Sequence, residues 1–144
     1  MASWDAVRRR LEQELADLTD AAFVVVGEPV APAGPPRGLL RRRPRPAPTR
    51  YVQVRRDGDH WYAECVGATS FGGDWEIDPP THDRLRGLGW LAPGDPDPAG
   101  VQPSYPHYWR VLPRSEAAEV ARSCADALAV LGAEAGSLEW RRDA

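Results

Sequence analysis

The sequence predicts an α+β fold, in which helices pack on one face of an antiparallel sheet. Two segments with alternating apolar residues are joined by a tight turn, which is typical of a β-hairpin. Amphipathic helical patterns stand before and after these strands, which places helices and hairpin in separate layers. At 144 residues the chain fits one domain, so we expect a single unit over 1–144.

The first element is an amphipathic helix whose apolar residues recur at spacings of three and four: Trp4, Val7, Leu11, Leu15 and Leu18. Ser3 precedes this pattern and is a suitable N-cap, since its hydroxyl accepts from an unpaired amide of the first turn. Residues 22–26 (AFVVV) follow and are rich in β-branched side chains, which favours a buried strand.

The central segment predicts a hairpin. Residues 51–56 (YVQVRR) and 60–66 (HWYAECV) both alternate, and Asp57, Gly58 and Asp59 between them suit a tight turn. Trp75 and Ile77 share one face of a further short strand.

Helical patterns and one strand make up the second half of the chain. A second helix begins after Pro79 and Pro80 with Thr81 as the expected N-cap, and Gly89 ends it in left-handed geometry. Residues 108–112 predict a strand. The last long helix has its buried stripe at Ala117, Val120, Cys124, Leu128 and Leu131. Residues 139–142 are either a terminal strand or a frayed tail.

Two proline-rich segments interrupt these patterns, and we expect loops at 27–49 and 92–106. The basic stretch from Arg37 to Arg50 lies in and just beyond the first of them. Clustered guanidinium groups bind phosphate, and Pro spacing of this kind also fits a polyproline II ligand. A tolerated insertion in an arginine-biased protein explains the stretch as well, because all 18 basic residues of the chain are arginine.

No set of residues forms a catalytic or metal motif. His60, His82 and His107 lie on different elements, and no C-x-x-C or H-x-x-x-H pair occurs. The glycine-rich segment 67–73 matches neither a P-loop nor a nucleophile elbow. We therefore expect no catalytic residue, no metal and no cofactor.

The cysteines and the hydropathy indicate the cellular compartment in which the protein is expected. Cys65 and Cys124 sit inside apolar patterns and are expected to be reduced core thiols, which favours the cytoplasm. The chain lacks a run of 18 apolar residues, and its first residues do not resemble a signal peptide.

The six tryptophans are an unusual feature of so short a chain. Core packing is the ordinary explanation for them, but aromatic residues are also enriched where proteins bind one another. Trp61, Trp75 and Trp109 are the candidates for binding residues, and the pattern does not separate core from interface.

The element order resembles the TY-Chap group, actinobacterial relatives of type III secretion chaperones and of YbjN proteins. The segments on which this resemblance rests are YVQV at 51–54, YAE at 62–64 and, above all, LRGLGWLAP at 85–93. The likeness covers Trp4 to Leu131. It implies a secretion-chaperone-like α-β-β-β-α-β-β-α fold that binds a peptide or protein, often as a dimer. The chain departs from this pattern in its Arg/Pro stretch and in showing one clear strand where the family has a final pair.

The leading hypothesis is therefore a non-catalytic, chaperone-like module that binds an unidentified peptide or protein client, with a homodimer possible. A sheet edge and an apolar groove would take an extended segment by strand addition. The rival is a nucleic-acid-binding accessory using the stretch from Arg37 to Arg50, and we regard nucleic acid as the less favoured partner. An enzyme is a third class, but it needs a cleft of perturbed residues that the pattern does not reveal. No membrane partner is expected.

The Arg/Pro stretch is predicted to be peripheral to folding. Replacing residues 31–47 by a short Gly-Ser link should change the free energy of unfolding by about 1 kcal/mol or less, because loop-closure entropy varies slowly with length. Urea unfolding measures the change. A deletion variant that does not fold would show that the stretch belongs to the core.

Overall fold

A computed structural model describes residues 3–29, 49–66, 77–93, 95 and 107–143. Within these residues the chain forms three α-helices and five β-strands, joined in places by short 3-10 turns. They are, in chain order, α1 (Trp4–Asp17), β1 (Phe23–Gly27), β2 (Tyr51–Asp57), β3 (His60–Cys65), α2 (Pro79–Gly87), β4 (Tyr108–Pro113), α3 (Ala117–Leu131) and β5 (Glu139–Asp143).

The five strands form one antiparallel sheet in the order β4-β3-β2-β1-β5. The predicted α+β fold is confirmed. The hairpin turns at Gly58, which adopts a φ of 60° without the steric cost that a Cβ would bring. The final segment is a strand rather than a frayed tail, because β5 pairs along its whole length with β1. It follows α3, so the last three elements run β-α-β where the resemblance implies β-β-α.

Other expectations about the chain fall partly outside the described residues. Trp75 of the proposed extra strand is among the undescribed residues, and Ile77 lies in no strand but packs against the core. Most of the two proline-rich loops is likewise undescribed. The first loop begins later than expected, since Gly27 pairs with Tyr51 and is the last residue of β1.

The alternation of each strand divides the sheet into two faces. All three helices lie on one of them, which we call the helix face. There Tyr108 contacts His82 of α2, Arg110 contacts Ser123 of α3, and Arg142 contacts Glu14 of α1. The core fills the space between, with Leu11, Val52 and Leu128 at 0% exposure. This face carries Val24, Val26, Val52, Val54, Trp61, Ala63, Cys65, Tyr108, Arg110, Trp140 and Arg142.

Two of the helix ends agree with the sequence and one does not. Ser3 caps α1 by accepting from the amide of Ala6 at 3.2 Å, and Gly89 follows α2 in the expected left-handed geometry, with a φ of 103°. The predicted N-cap of α2 is wrong. Asp78, not Thr81, is the cap, because its carboxylate accepts from the Thr81 amide at 2.9 Å and Pro79 supplies the first helical residue.

The LRGLGWLAP segment is a structural element that joins α2 to the sheet. Leu85 and Trp90 are 0% and 2% exposed, and the indole Nε1 of Trp90 donates to the Ser123 carbonyl at 3.3 Å. Leu91 then exchanges two backbone hydrogen bonds with Trp109 of β4, at 2.8 and 3.0 Å. The segment therefore fixes α2, α3 and β4 relative to one another.

Arg110 lies where this segment meets α3. One of its guanidinium nitrogens donates to Ser123 Oγ at 2.5 Å and Glu119 Oε1 at 3.1 Å, and reaches the Leu88 carbonyl at 3.4 Å. Gly89 makes room for it. A Cβ at Gly89 would lie 2.7 Å from Arg110 Cζ, and the φ of 103° disfavours any other residue.

Glu119 is the carboxylate that neutralises this guanidinium. It also accepts from Arg122, whose Nε lies 2.8 Å from Glu119 Oε2. The hydrogen bond from Arg122 is the largest cause that lowers the pKa of Glu119 from 4.5 to about 2; partial burial opposes it and Arg110 adds to it.

Trp90 is expected to be essential for stability. Replacing it by Ala should reduce the free energy of unfolding by about 3–5 kcal/mol, the usual cost of removing a buried Trp. Chemical unfolding of the two proteins measures the difference. A Trp90→Ala protein that is as stable as the unsubstituted chain would show that burial of this side chain does not contribute to the free energy of unfolding.

Glu119 should make the protein sensitive to acid. The pKa of Glu119 is lower in the folded chain than its ordinary value of 4.5. Its contribution to the free energy of unfolding is therefore complete above about pH 4.5 and is lost as the pH falls toward 2. Glu119→Gln should therefore lose less stability than the unsubstituted chain between pH 6 and pH 3, measured by urea unfolding at each pH. Equal losses in both proteins would contradict the lowered pKa.

Candidate functional site

The second face of the sheet carries no helix from the described chain, and we call it the open face. Its members alternate with the buried residues and stand in rows across the strands. They are Phe23, Val25, Tyr51, Gln53, Arg55, Tyr62, Glu64, Trp109, Val111, Glu139 and Arg141. Apolar and aromatic side chains are therefore common on a face where an ordinary solvated sheet is polar.

A groove of about 580 Å³ lies on the β5-β1-β2 half of the open face. We call it the open-face groove; its lining residues are Phe23, Val25, Thr49, Tyr51, Gln53, Arg141 and Arg142. Phe23, Val25 and Tyr51 are half-buried. Gly27 stands opposite Tyr51, where a Cβ would come within 2.5 Å of Tyr51 Cβ. The absence of a side chain there keeps β1 and β2 close beneath the groove.

The charged residues that line the groove are two arginines, and among the described residues its lining includes no carboxylate. Arg142 is used by the fold, since its Nε lies 3.2 Å from Glu14 Oε2 on α1. Arg141 is exposed and, among the residues the structure describes, no carboxylate pairs with it. An arginine beside apolar side chains is a suitable partner for an anionic group.

The other half of the open face is already packed. The rings of Tyr62 and Trp109 stack with centroids 6.2 Å apart, and Trp109 is 0% exposed. Its indole Nε1 is buried without an acceptor in the described part of the chain. Tyr51 and His107 form an edge contact at 6.1 Å between the two halves. Within the part of the chain that the structure describes, the β5-β1-β2 half is thus the one that leaves a groove.

The two edges of the sheet differ. The outer edge of β4 is bonded to Leu91 through Trp109. The outer edge of β5 has no strand beside it in the described residues, so it presents unpaired backbone groups next to the open-face groove.

Trp61 and Trp109, two of the three tryptophans that the sequence singles out, do not line the groove. Trp61 is 3% exposed on the helix face, where its Nε1 donates to the Arg114 carbonyl at 3.0 Å. Trp109 is on the open face but fully buried, and Trp75 is outside the described residues. Sequence reasoning did not identify Phe23, Val25 or Arg141. The signal was present in the alternation of the strands, because every second residue must face away from the core.

The basic stretch is represented in the structure mainly by its last residue. A guanidinium nitrogen of Arg50 lies 3.0 Å from Glu28 Oε2, so this arginine closes the base of the β1-β2 connection. The arginines at 37–45 are outside the described residues.

The described residues bring together no familiar catalytic set. His60 is exposed at the hairpin, His82 bonds to the Tyr108 hydroxyl at 2.7 Å, and His107 is beside Tyr51. Burial raises the pKa of Cys124 to about 12 and that of Cys65 well above its ordinary value, so both thiols stay protonated. Among these residues no three His, Cys, Asp or Glu side chains are grouped as metal ligands. Nor is any helix here long and apolar enough to cross a bilayer.

Comparisons with known proteins give one result. Neither the search of curated proteins nor the search of solved structures found a match. Residues 1–136 match the model of the TY-Chap3 family, which is described as T3SS (YopN, CesT) and YbjN peptide-binding chaperone 3. Since the match spans nearly the whole sequence, the chain belongs to this family of peptide-binding chaperones.

Proposed function

We propose that the protein is a non-catalytic chaperone-like module that holds an extended peptide segment of a client in the open-face groove. One observation carries the proposal: the helices of the described chain pack on one face of the sheet, and the other face has a groove lined by Phe23, Val25 and Tyr51. Burial of such side chains against a client's apolar residues is the main favourable contribution to binding.

The geometry suits an extended segment better than a folded partner. A groove of 580 Å³ is large enough for a few side chains but small for a protein surface. The membership in a peptide-binding family supports the same class of ligand.

The edge of β5 offers a second contact for the same client. A segment that adds to β5 gains main-chain hydrogen bonds, and it lies beside Arg141 and the groove. The same unpaired edge is compatible with a homodimer, which we keep as a proposal. We also assign the module to the cytoplasm, where two buried thiols without a disulfide are the ordinary state.

The nucleic-acid alternative has less support. In the described residues the one arginine of the basic stretch, Arg50, is paired with Glu28. Nucleic-acid binding would also have to weaken steeply with salt, because each neutralised phosphate releases counterions.

The apolar side chains of the groove should decide peptide affinity. Short peptides that bind the purified chain are first selected from an array, and one is labelled for fluorescence anisotropy. The double variant Phe23→Ser/Val25→Ser should bind it about tenfold more weakly or worse, because it removes two apolar contacts from the centre of the site.

A matched control separates binding from stability. Val130 and Leu131 are also partly buried apolar residues, but they pack against the core at the end of α3. Val130→Ser/Leu131→Ser should bind the peptide as the unsubstituted chain does, provided that urea unfolding shows both variants folded. The proposed function is rejected if the array yields no peptide, or if the groove variant binds without loss.

A further inference from the structure

We infer that the open-face groove selects client segments in which an aspartate or glutamate stands between two apolar residues, in the pattern apolar–x–acidic–x–apolar. This inference rests on the proposed function and names its ligand more closely. The juxtaposition that carries it is the guanidinium of Arg141, which pairs with no carboxylate among the described residues, beside the apolar side chains of Phe23, Val25 and Tyr51.

The pairing of the strands places these residues in three successive rows. Phe23 belongs to the first row, Arg141 stands opposite Val25 in the second, and Tyr51 stands opposite Gly27 in the third. Successive rows are two residues apart along a strand, a distance of about 7 Å. The cation is therefore in the middle row, with an aromatic side chain on each side of it.

An extended peptide has the same period. Its residues i−2, i and i+2 point to one side and are also about 7 Å apart. A segment that runs along β1 thus places its central side chain over Arg141 and Val25 when its neighbours lie over Phe23 and Tyr51. The outer positions meet aromatic rings and favour apolar residues.

The central position favours a carboxylate for reasons of charge. Among the described residues the groove lining contains no acid and Arg142 is paired with Glu14, so Arg141 contributes a positive charge that no carboxylate of these residues neutralises. On the same face of β5, Glu139 and Asp143 each stand one row from Arg141, and among the side chains that the structure describes no carboxylate forms an ion pair with it. A planar guanidinium binds a carboxylate through two parallel hydrogen bonds, which an amide does not offer.

The carboxylate belongs to a side chain within the segment. Apolar contacts lie on both sides of Arg141, in the first and the third row, so the chain of the ligand continues past the cation in both directions. A C-terminal carboxylate would leave one of these rows without a partner.

The test uses three labelled peptides that differ only at the centre: Leu-Ser-Glu-Ser-Leu, with Gln or Lys in place of Glu, each within the same neutral flanks. The purified chain should bind the Glu peptide about tenfold more tightly than the Gln peptide, as for a charge-assisted hydrogen bond at a partly solvated site. Arg141→Gln should bind both equally, at the affinity of the unsubstituted chain for the Gln peptide. Arg141→Glu should reverse the preference and favour the Lys peptide.

A control variant makes the effect specific to the groove. Arg9 is an exposed arginine of α1, and Arg9→Gln removes the same charge on the helical side of the sheet. It should keep the full preference for the Glu peptide. Arg141→Lys should keep part of it, since the positive charge remains while the two-pronged geometry is lost.

Several results overturn the inference and leave the proposed function intact. One is equal binding of the three peptides by the unsubstituted chain, and another is a preference for Glu that persists in Arg141→Gln. A third is that peptides from the array bind the protein but none of the three labelled test peptides does. A fourth is that the protein prefers a carboxylate only when it is the C-terminus of a peptide. If no peptide of any sequence binds, the proposed function itself fails.

Discussion

The guanidinium of Arg110 holds the helical layer against the sheet, and the positions of the other elements follow from it. It stands on the helix face of β4 and is bound by Ser123 and Glu119 of α3 and by the Leu88 carbonyl at the end of α2. A charge at such a site is tolerated only when its hydrogen bonds are satisfied. Gly89 is necessary for this arrangement, because a Cβ there would collide with the guanidinium. The most specific motif of the sequence therefore serves packing, and the proposed ligand site lies on the other face of the sheet.

This arrangement explains why the proposed binding surface is on the opposite side. Because α1, α2 and α3 all pack on the helix face, the apolar residues on the other side of the strands have no helical cover from the described chain. On the β3-β4 half, Tyr62 and Trp109 pack against each other. On the β5-β1-β2 half the corresponding rows leave a groove. The same sheet thus has a core side, a self-packed half and a half that is available to a ligand.

The sequence predicted the fold class, the hairpin and the long helices because these depend on local periodicity. Val52 and Val54, or Leu11 and Leu15, show their burial by spacing alone. It misplaced the N-cap of α2, since Asp78 and Thr81 are both good caps and only the position of Pro79 decides between them. It left β5 undecided because pairing with β1 is a long-range event. The groove could not be predicted for the same reason, because Arg141 meets Val25 only through that pairing. The tryptophan count pointed instead to residues that include Trp61 and Trp109, and both of these are buried.

The position of β5 has a consequence for the order in which the protein matures during synthesis. The strand that it joins, β1, is made early, whereas β5 comes after all three helices. Pairing between such distant segments is intrinsically slow. A nascent chain that has emerged as far as α3 already has Phe23, Val25 and Tyr51, but it lacks the wall that Arg141 provides. The apolar part of the groove is thus synthesised before its cation, and the proposed selectivity among clients requires that translation has passed residue 141.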